Sequence, residues 1–353
     1  MKTALITGSH GQDGSYLAAY LLSLGYRVVA THRRTAGGQP WRYRALGIDG
    51  HANLRALALD VTDLSAATQV VEQVQPDEIY NLAAQSHVGA SFDQPLATAR
   101  VTGTGAVNMI EAVRRAAPRA RFYQASTSDM FGRPAQGDTA PRRENSPLRP
   151  RNPYAAAKAY AHNMMETYRE GYGLFAACGI LFNHESPLRG DTFVTRKITD
   201  GVARILSGKA EHIALGNLSA SRDWGYAGDY VRGMHAMLQV DEPQSVILAT
   251  GRATTVREFC SAAFAAAGRP LHWRGEDRTE EGVDASGTVR VRVSAAHYRP
   301  TDPRGLVGDA SHARAALGWS AKTDVDALCR MMLEADLERH GVATDLPAAK
   351  NTA

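Results

Sequence analysis

Three glycines, Gly8, Gly11 and Gly14, stand between a short apolar run, Lys2–Thr7, and a segment of helical spacing, Ser15–Leu24. That segment places Tyr16, Leu17, Tyr20, Leu21 and Leu24 on one side and stops at Gly25. Glycines at such a turn let a pyrophosphate approach a helix N-terminus where no Cβ intervenes. A tight turn that only needs positive φ would use glycine as well. The place of this turn, at the first strand–helix junction of an alternating chain, is what points to a dinucleotide. The alternation continues through Arg27–Ala30, Leu54–Leu59, the helix Ser65–Val74, Glu78–Leu82, the helix Gly103–Ala116 and Arg121–Ala125. Strands separated by helices of this length specify an α/β fold: a doubly wound parallel sheet, the Rossmann arrangement, covered on both faces.

After a long helix beginning near Tyr154 the pattern loosens. Leu174–Leu181 still reads as a buried strand, but loops follow at His184–Gly190, Leu215–Gly225 and Trp273–Gly287, between helices at Asp229–Leu238, Val256–Ala267 and Asp324–Arg339. The expectation is a nucleotide-binding domain over 1–182 and a smaller mixed α/β substrate lobe over 183–342, with some exchange of elements between them. A frayed tail covers 343–353. Lys and Arg exceed Asp and Glu by 40 − 36 = 4 over 353 residues, too thin a surplus to announce nucleic acid. Cys178, Cys260 and Cys329 are far apart, in no metal-binding or disulfide pattern. No apolar run approaches the ~20 residues of a membrane span, and the strand pattern beginning at Lys2 leaves no room for a leader. A cytoplasmic protein without a metal is expected.

The end of the second strand selects the cofactor. NAD calls for an acid there, while an Arg suits the 2′-phosphate of NADP. The chain reads Ala30-Thr31-His32-Arg33-Arg34-Thr35, so Arg33 and Arg34 predict NADP. Asp60 and Val61, after the third strand, are expected near adenine. Leu82, Ala83 and Ala84, after the fourth, are expected near the nicotinamide ribose.

Tyr154 and Lys158 lie four apart in Asn152-Pro153-Tyr154-Ala-Ala-Ala-Lys158, with Asn152 placed to cap and Pro153 at the first helical position. That spacing puts phenol and ammonium on one face. A nearby cation lowers a tyrosine pKa from ~10 toward a usable base for an alcohol. Just upstream, Ser126-Thr127-Ser128-Asp129 follows an apolar strand, so its hydroxyls and carboxylate fall at the ligand-binding edge of such a sheet.

With these residues in place the chain resembles the extended short-chain dehydrogenase/reductase superfamily and, within it, the GDP-mannose 4,6-dehydratase family. The marks are Gly11-Gln12-Asp13-Gly14-Ser15-Tyr16-Leu17, Asn81-Leu82-Ala83-Ala84-Gln85-Ser86-His87-Val88 and Tyr154-Ala-Ala-Ala-Lys158. Further on come Asn183-His184-Glu185-Ser186-Pro187, Arg222-Asp223-Trp224-Gly225 and Tyr298-Arg299-Pro300-Thr301. The resemblance implies a redox-neutral loss of water from GDP-D-mannose, with NADP recycled. Tyr154 would be the base at the C4 hydroxyl and Thr127 its hydrogen-bond partner. Asp129 would remove the C5 proton, and Lys158 would hold the ribose. Gly8, Gly11, Gln12, Asp13, Ser86, His184 and Arg189 match cofactor positions. Ser86, Asn183, Lys197, Arg222 and Arg292 match positions for the nucleotide sugar, where cations suit a diphosphate. The family has Glu where Asp129 stands. The resemblance implies a homodimer or a homotetramer, and the choice is left open by Thr35–Ile48, which departs from the family's Ser-rich, subunit-joining stretch. A GDP-sugar 4-keto reductase or epimerase remains the alternative enzyme, and a catalytically silent NADP-binding protein the alternative of another class. An acid after the Thr-Ser pair favours dehydration, because 4-epimerisation needs no base at C5.

Overall fold

Ala4, Leu5 and Ile6 are all fully buried, because β1 (Thr3–Thr7) runs through the middle of a sheet with helices on both faces. The computed structural model describes residues 1–33, 41–134, 138–296, 305–343 and 346. From β1 the chain passes through α1 (Gln12–Ser23), β2 (Arg27–His32), α2 (Trp41–Ala45), β3 (Leu54–Ala58), α3 (Leu64–Val74), β4 (Glu78–Asn81), α4 (Val88–Asp93), α5 (Pro95–Thr98) and α6 (Gly105–Ala116). It continues with β5 (Arg121–Thr127), α7 (Pro153–Tyr172), β6 (Ala176–Leu181), β7 (His184–Glu185), α8 (Val194–Leu206), β8 (Ile213–Leu215), β9 (Ser221–Asp223), β10 (Gly225–Tyr226) and α9 (Ala227–Met237). Last come β11 (Ser245–Leu248), β12 (Ala253–Thr255), α10 (Val256–Ala266), β13 (His272–Arg274), β14 (Glu281–Val283), β15 (Val289–Val293), α11 (Ser311–Leu317) and α12 (Val325–His340).

The main sheet has the order β11-β6-β5-β4-β1-β2-β3 with every neighbour parallel. This is the expected doubly wound fold. Strand alternation sorts the core into two layers. Ala4, Ile6, Val28, Tyr80 and Tyr123 face α1 and α9, which contribute Leu17, Leu21, Met234 and Met237. Leu5, Val29, Ile79 and Phe122 face α3, α6 and α7, which contribute Val71, Ile110 and Met165. The strand order reverses between β1 and β4, so a crevice opens there beyond the carboxyl ends of the strands.

Residues after 182 build a third core from α8, α10 and α12, through Ile198, Val202, Phe259, Ala263, Leu328 and Met332. A four-stranded sheet, β13-β14-β15-β8, lies beside it. The three stretches expected as loops hold short strands instead: β7 pairs with β10, β9 with β12, and β13 with β14. Strands of two or three residues are too short for alternation to be legible. Ser245–Leu248, not read as a strand, returns to the main sheet beside β6. The helix expected from Gly103 is preceded by a π-helical turn, Ala99–Thr104. Gly103 there packs against α7, where a Cβ would come within 3.2 Å of the Tyr160 ring. Among the described residues no helix is long and apolar enough to cross a membrane.

Candidate active site

Gly8 has φ of +66°, and a Cβ on it would lie 2.8 Å from the Ala83 nitrogen. A Cβ on Gly14 would lie 2.6 Å from the Gly8 carbonyl oxygen. The turn therefore closes only with glycine, and it leaves the first backbone N–H groups of α1 without a side-chain cap. This cradle fits a pyrophosphate. It forms one wall of a cavity of about 550 Å³ at the crevice between β1 and β4.

A buried chain of polar groups fixes the strand ends beside that cavity. The Thr7 hydroxyl donates to Asn81 Oδ1 at 2.6 Å and accepts the N–H groups of Leu82 and Ala83 at 3.1 Å. Asn81 donates to Gln124 Oε1 at 2.8 Å, and Gln124 to the Ala125 carbonyl at 2.9 Å. The same carbonyl accepts from Lys158 Nζ at 2.7 Å. Sequence alone does not single out Thr7 and Gln124 as site residues. Amide side chains inside otherwise apolar strands, each demanding partners once buried, were the signal available.

Asn152 caps α7, its Oδ1 accepting from the Ala155 N–H at 2.7 Å, and Pro153 opens the helix. Lys158 is pushed down to about 8, chiefly by burial. The Tyr154 side chain hydrogen-bonds Thr127, and its phenol is raised above its ordinary value, first by burial and then by the charge of Asp129. The expected lowering of this phenol is therefore reversed: Lys158 is spent on Ala125, with Nζ 5.9 Å from the Tyr154 ring centre. Asp129 sits in a 3₁₀ turn, Ser128–Phe131. Burial raises its carboxyl, while the Arg222 charge and a hydrogen bond with the Asn152 side chain act the other way.

Opposite them, Asp13 and His184 form an ion pair of 2.8 Å. His184 Nδ1 lies 2.7 Å from the Phe182 carbonyl, which can only accept, and Nε2 faces a carboxylate, so both ring nitrogens donate. Burial opposes charge on both partners, yet their mutual attraction wins. Asp13 falls to about 2 and His184 rises above its usual value. Gln12 ties the pair in, donating to Asp13 at 2.9 Å and to the His184 carbonyl at 3.1 Å, and accepting from Ser186 at 2.7 Å. Arg189 pairs with Glu185 at 2.9 Å and lies 3.6 Å over the Phe193 ring.

One cavity is thus lined by Thr127, Asp129, Tyr154 and Lys158 and by Gly8, Gly11, Gln12, Asp13 and Arg33. Val61, Leu82, Ala83, Ala84, Ser86, Asn183, His184 and Arg189 complete the set of expected residues on its wall. Asp60, Lys197, Arg222 and Arg292 are not on that wall. Asp60 turns its carboxylate to Thr62 at 2.9 and 2.8 Å, Lys197 is exposed on α8, and Arg292 is exposed on β15. Arg34, and the stretch Tyr298–Thr301, lie outside the described residues.

The family model described as GDP-mannose 4,6 dehydratase matches residues 5–332. GDP-mannose 4,6-dehydratase of Sinorhizobium fredii (strain HH103) is 48% identical over 340 residues, covering 94% of this chain and 96% of that protein. GDP-mannose 4,6 dehydratase 2 of Caenorhabditis elegans is 47% identical over 343 residues, covering 95% and 89%. Among solved structures, a dTDP-glucose 4,6-dehydratase of Streptomyces venezuelae with NAD and TYD bound superposes with a TM-score of 0.80. It is 21% identical and covers 96% of this chain and 98% of that one, a likeness of fold.

Proposed function

The chain belongs to the GDP-mannose 4,6-dehydratase family, and on that premise we propose that it removes water from GDP-D-mannose using NADP held in the cavity described above. The observation that carries this reading is the meeting of Thr127, Asp129, Tyr154 and Lys158 in one cavity with a turn that closes only with glycine. Bound there, NADP would supply a reversible hydride acceptor, so that the hydride lost from C4 of the sugar is regained at C6 and the sum is loss of water alone.

In this reading Tyr154, hydrogen-bonded to Thr127, takes the proton of the C4 hydroxyl. The ketone acidifies the neighbouring C5–H, and Asp129 removes that proton. The C6 oxygen leaves as water with the equivalent of that proton, and as hydride is regained at C6 the proton that Tyr154 took from the C4 hydroxyl is given back to C5. Lys158, fixed by the Ala125 carbonyl, holds the ribose. Gln12, Asp13, His184 and Arg189 orient the nicotinamide end. The Asp13 carboxylate is tolerable there because His184 neutralises it. Asp60 and Val61 lie toward adenine, and Arg33 and Arg34 take the 2′-phosphate. Asn183, on the cavity wall, serves the nucleotide sugar, with Lys197, Arg222 and Arg292 acting from beyond that wall. The protein works in the cytoplasm as a homodimer or homotetramer. Trp41, 40% exposed with Arg42 and Arg339 against its ring, supports a subunit contact on that side.

Incubation of the purified protein with GDP-mannose, followed by mass spectrometry, tests the reaction: the product is lighter by one water. Unchanged GDP-mannose, or a product of unchanged mass, overturns it. Nucleotide extracted from the protein is NADP or NADPH; a preparation holding only NAD overturns the cofactor assignment. Sedimentation of the purified protein as a monomer overturns the assembly.

A further inference from the structure

His10 precedes the second glycine of the turn, and His32 ends β2. Both line the cavity next to Arg33. Their rings stack with centres 4.1 Å apart and planes at 15°. The Tyr43 ring meets His10 edge-on at 5.6 Å, and Arg42 donates to the His10 carbonyl at 3.1 Å. Among the described residues His32 Nδ1 is buried without a hydrogen-bond partner. Two stacked imidazoles with a bare ring nitrogen, walled by arginines, form an odd arrangement for a structural contact. A buried polar atom left unpaired calls for a ligand. The place is the one where a dinucleotide fold presents its second strand to the adenosine ribose.

We infer that His10 and His32, together with Arg33, seat the 2′-phosphate of the cofactor, and that the imidazole pair takes up one proton from solvent as that phosphate binds. The inference rests on the NADP reading above. Burial, His32 and Arg42 hold His10 down at about 4, so its ring is neutral at pH 7. The charged groups around it are Arg33 and Arg42, with Asp60 near Arg33 and the phenol of Tyr43. Cations predominate, which is why a proton does not stay there unaided. A phosphomonoester brings about −1.5 to −2 charge with a second pKa near 6. Set against the stack it reverses the local sign, and the ring gains a proton that binds the phosphate as a charge-assisted donor. NAD carries no such group and draws no proton. Preference for NADP over NAD therefore grows as pH falls from 8 toward 6, until the phosphate itself begins to protonate.

Calorimetric titration of the full chain, freed of nucleotide, with NADP and with NAD at pH 6.5 in two buffers of different ionisation enthalpy tests this. Expected is uptake of about half a proton or more with NADP and none with NAD. His10→Phe and His32→Phe keep an aromatic ring in the stack but remove the nitrogens. Each lowers NADP affinity about tenfold and abolishes the uptake, with NAD affinity unchanged. NADP binding that takes up no more protons than NAD, or an undiminished NADP preference in both variants, overturns the inference while leaving the cofactor assignment intact. A wild-type protein that binds NADP no better than NAD overturns both.

Discussion

Asn152 touches Asp129 with the same side chain that begins the helix of Tyr154 and Lys158. Its Oδ1 accepts from the Ala155 N–H at 2.7 Å, which leaves the amide nitrogen to donate to the Asp129 carboxylate. One residue thereby ties the proposed C5 base to the proposed C4 base. Asn152→Ser separates the two jobs, because serine caps about as well as asparagine but cannot reach the carboxylate. The melting temperature is expected to stay put, while C5 exchange into deuterated solvent slows about tenfold. An unchanged exchange rate means that Asn152 is a cap and nothing more.

Asp129→Asn removes a proton acceptor without changing shape. Exchange at C5 and loss of water both stop. Transfer of hydride from C4, followed by cofactor absorbance, survives. It also works at lower pH than in the wild type, because the charge of Asp129 is one of the causes that raise the Tyr154 phenol. Loss of hydride transfer with water loss intact inverts the two roles. Asp129→Glu lengthens the carboxylate by one methylene and reads whether the shorter side chain limits the rate.

Tyr154→Phe deletes one oxygen from an otherwise unaltered helix. Turnover is expected to fall by about 10²- to 10⁴-fold, with cofactor affinity nearly intact. Undiminished turnover shows that another group takes the C4 proton.

The Asp13–His184 pair makes stability depend on pH at both ends. Asp13 is depressed to about 2, so its contribution is present above the unfolded value near 3.8 and is lost as pH falls through 2. His184 is raised, so its contribution is present below its unfolded value near 6.5 and fades as pH rises through the raised one. Asp13→Asn costs about 2 kcal/mol between pH 5 and 6, and the deficit shrinks in alkali. Thermal melts across that range check the sign; a deficit that grows above pH 8 contradicts the ion pair.

Much of this was legible because the relevant signals are local. The glycine turn, the Tyr–Lys spacing and the strand–helix alternation each sit within a window of a dozen residues, and their elements begin and end within a few residues of expectation. What stayed hidden depends on partners distant in sequence. The polar chain from Thr7 through Asn81 and Gln124 to Lys158 spans four elements. The direction of the Tyr154 shift depends on burial and on where Lys158 spends its proton, neither of which spacing reveals. Ser245–Leu248 is four residues long, and only β6 makes a strand of it.

That last strand constrains how the molecule can be made. β6 is buried along its whole length, Ala176–Leu181, with β5 on one flank and β11 on the other. On a growing chain, every residue of the first sheet through 181 is available before Ser245 exists, and until then β6 presents an open apolar edge of the kind that recruits foreign strands. A fragment ending near residue 182 keeps that edge permanently and is expected to aggregate, although it contains the whole glycine turn and both Tyr154 and Lys158. The first sheet becomes safe to release only after the chain through Leu248 has been synthesised.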